Sequence, residues 1–265
     1  MIAHPMNRRD FLGGAVSGAV VAVGGRVAWD RRQPPPPTLP SPANVLPEHA
    51  RVSFSEQGED IVLFHTLRDL LKIESATYID VGAADPIIAS NTYLLYTTGA
   101  RGVLVEPNPM YVKLLRSARP LDKVVAAGVG VTADAEGDYY EIKGDPMRNT
   151  FSAEHVAGLQ KGRTESVIER VVKMPLININ RVIEAQLDGR APDLLSTDVE
   201  GLDYAIISSL DLSRFRPAAI CAETVPMYKG GNASNITEYL RRQDYIPRGG
   251  SMFNTIFIDA RRIDA

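Results

Sequence analysis

From about residue 53 onward, short apolar runs alternate with amphipathic stretches, and that rhythm sets the fold to be expected. Ile61, Val62, Phe64, Leu67, Leu70 and Leu71 recur at helical spacing between Glu59 and Lys72. Ser55 is the expected N-cap of that helix, and Glu59 and Asp60 fall in its first turn, where the dipole favours negative charge. Residues 77–81 form an apolar run of strand length, followed by a helix over 91–98 that Gly99 ends. A second strand over 102–106 leads to a helix opened by Pro109, at the first-turn position that tolerates proline. Residues 123–127 give a third strand.

The rhythm then changes. Residues 138–143 and 170–174 are extended segments flanking a Gly-containing stretch, as in an inserted hairpin or cap. Alternation resumes with a helix over 178–187, a fourth strand over 194–199, a helix over 201–210 and a fifth strand over 218–223. A helix over 236–242, capped by Ser234 or Asn235, precedes two last strands at 245–246 and 255–259, an antiparallel pair at the sheet edge. Strands and helices alternating at these lengths predict a doubly wound α/β sheet.

Ahead of this domain the composition differs. Residues 1–32 carry Arg8, Arg9, Arg26, Arg31 and Arg32 against Asp10 and Asp30, a balance of +3. The whole chain is −3, which leaves −6 for the rest and argues against a nucleic-acid partner. Asn7-Arg8-Arg9-Asp10-Phe11-Leu12, followed by a Gly- and Ala-rich run to Val23, resembles a twin-arginine export signal or anchor over residues 1–30. The bland alternative is a leader that happens to contain paired arginines. Residues 31–52 hold Pro34-Pro35-Pro36-Pro37 and three further prolines, an extended linker that cannot build a core. The folded domain is expected over 53–265. The single cysteine, Cys221, sits in an apolar run, which makes it a buried thiol and excludes an internal disulfide framework.

The candidate chemistry lies at the strand ends. The run Ile79-Asp80-Val81-Gly82-Ala83-Ala84-Asp85 and the run Val103-Leu104-Val105-Glu106-Pro107-Asn108-Pro109 each end an apolar strand on an acid, and Glu106 lies 24 residues after Gly82. That is close to the roughly 20 residues between a Gly-turn and a ribose-binding acid. With one glycine in the first turn the pyrophosphate fingerprint is missing, so a dinucleotide is disfavoured and an S-adenosylmethionine-like nucleoside fits better. Gly82 then lets backbone approach the ligand, Glu106 takes the ribose hydroxyls, Asp80 the ammonium, and Pro107 with Val129 the adenine. Asp80, Glu106, Gly128, Asp198 with Glu200, and Glu223 are the strand ends expected to converge on one crevice. Any single one of these acids has an alternative role as a helix cap. Asp198 and Glu200 are two apart, so a continuing strand puts both on one face, one orienting an acceptor and the other taking its proton. No histidine accompanies them in the chain, and no metal is assigned.

On these residues the chain resembles the FkbM-type methyltransferases over 53–260. The pieces that carry the resemblance are Ser55-Glu56-Gln57-Gly58-Glu59-Asp60, the runs through Asp80 and Glu106 above, Ser90-Asn91-Thr92, and Leu195-Ser196-Thr197-Asp198-Val199-Glu200-Gly201. The resemblance implies a Rossmann-like class I methyltransferase fold, with a seven-stranded, mostly parallel sheet and an antiparallel edge strand. It implies S-adenosylmethionine as cofactor, held by Gln57, Asp80, Val81, Gly82, Ala83, Asn91, Glu106, Pro107 and Asp198, with Asp198 and Glu200 at the chemistry. A small-molecule or glycan hydroxyl is the acceptor it implies, and twin-arginine export machinery is a partner expected from residues 1–30. Location stays divided between an exported or membrane-associated protein and the cytoplasm, where methyl donor is made. One departure stands out: after the fifth strand the chain reads Glu223-Thr224-Val225, where many relatives carry a histidine after the glutamate. A different class of function, a catalytically inactive nucleoside-binding module used for docking, is the competing expectation.

Overall fold

The strand β1 (Thr77–Val81) forms where expected, and four of its five residues are buried. In this computed structural model, which describes residues 51–131, 135–225 and 233–263, it lies inside a seven-stranded sheet. Expectations for the leader and most of the proline segment therefore lie outside the described residues. Parallel to β1 on one side runs β2 (Arg101–Val105), and beyond it β3 (Lys123–Val125). On the other side follow β7 (Leu194–Thr197) and β8 (Ala219–Glu223), both parallel. The antiparallel pair β10 (Asn254–Asp259) and β9 (Tyr245–Gly250) completes that edge. Chain order reverses between β1 and β7, which makes their carboxyl ends the switch point where a crevice opens.

Period-two alternation sorts the strand side chains onto two faces. Ile79, Val81, Val103, Val105, Leu195 and Ile220 pack with α5 (Ile179–Gln186), α6 (Asp203–Ser209) and α7 (Ala233–Arg242), through Val182, Ile183, Ile206, Ile207, Ile236 and Leu240. Tyr78, Leu104, Leu194, Cys221, Ile256 and Ile258 pack with α1 (Glu59–His65), α2 (Tyr93–Thr97) and α3 (Pro109–Ala118), through Leu63, Leu95 and Leu115. Both faces are covered, as the apolar strands require. Cys221 is fully buried, and burial pushes its thiol well up.

The insert between β3 and α5 is a small sheet of its own. Its strands are β4 (Gly128–Gly130), β5 (Ala135–Ile142) and β6 (Ile168–Asn178), in the order β4-β6-β5. The antiparallel β5–β6 pair is the expected hairpin, longer than its sequence signal. A helix the pattern did not show, α4 (Ala153–Gln160), lies between them, capped by the Ser152 hydroxyl; Val156 and Leu159 pack on Ile142 and Val167.

Four local expectations change. The residue at the N-cap of α1 is Gly58, at φ 92°, although the Ser55 hydroxyl still accepts from the Gly58 and Asp60 amides. The helix widens into a π turn over Thr66–Leu70, so the apolar stripe reaches Leu71 without a continuous α-helix. Gly128 begins β4 instead of ending β3, because the chain leaves the main sheet after Val125. Ser234 and Asn235 lie within α7, which starts at Ala233, so neither precedes it as a cap. Among the described residues no helix is long and apolar enough to cross a membrane.

Candidate active site

Two adjoining recesses open beyond the carboxyl ends of β1, β2, β7 and β8. The first, about 530 Å³, is mostly apolar: Val105, Pro107, Tyr111 and Val129 meet Tyr139 and Phe151 of the insert, with Val81 and Glu106 at its wall. The second, about 990 Å³, is polar and lined by Asp80, Ala83, Asn91, Asp198, Glu200 and Glu223, with Glu56. Gly82, Ala84, Met147, Asp198 and Glu200 border both.

Glu106 is the hinge of the first recess. Its Oε2 accepts from the Ala84 amide at 3.0 Å and its Oε1 from the Asn108 amide at 2.7 Å, while Asn108 caps α3 through Met110. The carboxylate therefore ties the turn after β1 to the turn after β2. Burial pushes its pKa up to about 7, and each oxygen keeps a second lone pair for a further donor. A pair of vicinal hydroxyls supplies two such donors.

Gly82 has φ 81°, and a Cβ there meets the Asp198 carbonyl oxygen at 2.0 Å. Glycine is required here already by the protein itself, since the first atom a side chain would meet belongs to the neighbouring strand end. The Asp198 amide donates to the Val81 carbonyl, so the two turns are stitched directly.

Asp80 is held from behind. Its Oδ2 accepts from Thr92 Oγ1 at 2.6 Å, and Thr92 accepts from Arg119 at 3.0 Å. Arg119 is fully buried, donates to Asp122 at 2.8 Å and Tyr78 at 2.9 Å, and reaches Ser90 at 3.4 Å. Burial pushes Asp80 upward while Thr92 and Arg119 pull it back. A buried cation with carboxylates on both sides is paired as burial demands. Asn91 Nδ2 rests 3.4 Å from Ser196 Oγ and faces the polar recess.

Gln57 lines neither recess. Its side-chain oxygen accepts from the Met252 amide at 2.8 Å, and it lines an open groove beside the cleft with Ile87 and Ile88. Glu56 lines the polar recess instead. The surrounding motif is an anchor: Asp60 accepts from Ser53, the Phe54 amide and Ser55, and Glu59 from Ser251 and Asn254.

The shared strand face of Asp198 and Glu200 is also corrected. The strand ends at Thr197, and Glu200 stands at φ 57° with Gly201 at φ 105°, so both acids belong to a loop that turns them into the cleft. Thr150 of the insert holds that loop, donating to the Glu200 carbonyl at 3.0 Å and the Val199 carbonyl at 3.3 Å. Asp198 is exposed to the cleft, and withdrawal from bulk water between the cleft walls, with Asp203, Glu200, Glu223 and Glu56 around it, raises its pKa above the ordinary value. Burial likewise takes Glu200 to about 7 and Glu223 to about 8. Nor are the acids without a histidine: His155 of α4 puts Nε2 3.1 Å from Glu200 Oε2. Nothing local marks it, since the contact spans 45 residues. Among the described residues no group of three or more His, Cys, Asp or Glu is arranged to hold a metal ion.

An apolar recess with a buried acid at its wall, opening into a polar one rimmed by acids, suits a nucleoside bearing a cation. The family model of the FkbM methyltransferase domain matches residues 80–247. This chain belongs to the FkbM methyltransferase family. It is an S-adenosylmethionine-dependent methyltransferase on that ground, and the two recesses fit that cofactor. No curated protein matches the chain. Among solved structures, it is similar to a TehB-like SAM-dependent methyltransferase from Corynebacterium glutamicum, at 10% identity and TM-score 0.41, over 77% of this chain and 89% of that one. A precorrin-6y C5,15-methyltransferase from Geobacter metallireducens is similar at 13% identity and TM-score 0.42, over 75% and 86%. So is an O-methyltransferase from Bacillus cereus in complex with SAH, at 13% and 0.39, over 80% and 82%. At such scores these likenesses add nothing to what the sheet order establishes for this FkbM methyltransferase.

Proposed function

We propose that this FkbM methyltransferase transfers the methyl group of S-adenosylmethionine to a hydroxyl oxygen of a small-molecule or glycan acceptor. Glu106 takes the ribose hydroxyls, Asp80 with Asn91 faces the amino-acid end, and Val81, Gly82, Ala83 and Pro107 shape the walls. The cofactor supplies an electrophilic methyl on a positively charged sulfur, which a cleft with this many carboxylates favours. Asp198 orients the acceptor and Glu200 takes its proton. One observation carries the choice of oxygen: Glu200 borders both recesses with a pKa raised to about 7, matched to proton acceptance near neutral pH. Holding acceptor and donor in line is worth ~7–11 kcal/mol of a barrier in favourable cases, and the rigid turns around Gly82 and Glu200 suit that task.

The insert supplies much of the cleft wall and is the element that selects the acceptor. The strand-end acids favour catalysis over a docking role, for which a negative cleft has no use. Export by way of residues 1–30 belongs to the same proposal, and N-terminal sequencing of fractionated, tagged protein tests it. Calorimetry with S-adenosylhomocysteine, followed by labelled methyl transfer to panels of hydroxyl and amine acceptors, tests the activity. Binding with labelled ethers supports the reading; binding with amine products alone overturns the oxygen assignment, and no binding overturns the whole.

A further inference from the structure

We propose that His155 is a positioning residue that fixes the Glu200 carboxyl at the cleft and shares its proton, so that a glutamate–histidine dyad, half from the insert, does the proton work. The inference rests on the proposed hydroxyl methylation. The histidine lies behind Glu200: it borders neither recess, and its Nε2 is buried with no hydrogen bond in good geometry, its ion-pair contact being the Glu200 oxygen 3.1 Å away. A buried nitrogen left without a bond needs a partner, and a small turn of either side chain puts one proton between it and the carboxyl oxygen.

The backbone is built to keep the pair together. The Ser152 hydroxyl caps α4 by accepting from the His155 amide at 3.0 Å, and a Cβ on Gly201 meets Ser152 Oγ at 3.3 Å and His155 Cβ at 3.4 Å. A side chain at 201 therefore crowds the helix that carries the histidine. Thr150 holds the Glu200 carbonyl from the same segment, and Glu200 keeps a positive φ that a non-glycine residue adopts only under such restraint. The groups facing the pair are Asp203 of α6, Asp198 and Glu223 from the strand ends, Glu56 before α1, and Asp145 with Arg148 in the insert. Burial opposes charge on both partners, raising the glutamate and lowering the imidazole.

Hydroxyl methylation releases one proton for each neutral thioether formed. In the dyad the acceptor O–H bond breaks toward Glu200, the oxygen bonds to the methyl carbon, and the carbon–sulfur pair stays on sulfur. The proton rests between Oε2 and Nε2 until solvent takes it.

The test needs no acceptor at first. Imidazole NMR of the full chain is followed from pH 5 to 9, with His155→Gln identifying the resonance among four histidines. The His155 midpoint should fall by at least about 0.5 pH unit in Glu200→Gln, as interacting sites require. An unchanged single transition in a folded variant overturns the dyad. With any hydroxyl acceptor found by the panel, His155→Gln should lose about tenfold or more in kcat, toward the lower end of base catalysis, and move the acid limb of the rate profile. Its S-adenosylhomocysteine affinity should stay within about twofold. A His155→Asn variant with the same unfolding temperature as wild type and undiminished kcat also sinks the proposal. Failure of the wild type to bind S-adenosylhomocysteine rejects the methyltransferase reading instead, whatever the titration shows.

Discussion

Glu106 ties two turns together and is proposed to take the ribose hydroxyls, and its replacement separates the two roles. Glu106→Ala should weaken S-adenosylhomocysteine binding by more than ~1.5 kcal/mol, about tenfold in Kd, since two hydrogen bonds to a charged acceptor are lost. The same change releases the Ala84 and Asn108 amides, so Glu106→Gln, which keeps one acceptor oxygen, should retain more stability in thermal unfolding while still binding poorly. Undiminished affinity in either folded variant rejects the ribose assignment. Asp198→Asn should leave affinity within a few-fold and depress turnover, because its carboxyl faces the cleft whereas its backbone carries the contact with β1. Full turnover in that variant removes Asp198 from the chemistry. Glu106 and Asp198 were legible as strand-end acids. His155 and the reach of Arg119 to Thr92 and Tyr78 were not: although Arg119 pairs with Asp122 three residues on, those other contacts span stretches that no local spacing encodes.

At the scale of elements, the strands of the main sheet were readable because apolar runs buried on both faces need no partner to announce themselves. The insert was readable only as a hairpin, since α4 offers little contrast between its faces until Ile142 and Val167 supply a surface for it. Its function as a clamp came from the fold alone. Thr150→Val tests that clamp: an isosteric change that removes the donor to two loop carbonyls and the acceptor of the Ser152 amide. It should cost ~1–3 kcal/mol in denaturant unfolding, the range for stranded buried polar groups. Turnover should fall while S-adenosylhomocysteine affinity holds, because the loop with Glu200 loosens and the Glu106 side of the cleft does not. Equal losses in affinity and turnover would place the effect in general unfolding.

For the molecule as a whole, the acids that make the cleft also strain it. Glu106, Glu200 and Glu223 have folded pKa values of about 7, 7 and 8 against an ordinary 4.5, and Asp80 and Asp198 are raised as well. A raised carboxyl means the folded chain holds more protons than the unfolded one, so stability falls as pH rises through that window. His155, shifted down, acts in the opposite sense, but only up to its ordinary 6.5. From about pH 6.5 to 8 the carboxyls dominate, and thermal unfolding should show declining stability there, with Glu223→Gln reducing the slope. A melting temperature that climbs over the same interval contradicts the electrostatic picture. The sequence by itself determined the alternating architecture, the acids at the strand ends and the family, because burial and local turn chemistry act over a few residues and leave a periodic trace. Only the tertiary structure decided that Gly82 yields to Asp198, that Arg119 steadies Asp80, and that His155 backs Glu200. Those are contacts between segments far apart in the chain, and they exist only once the sheet and its insert have closed on one another.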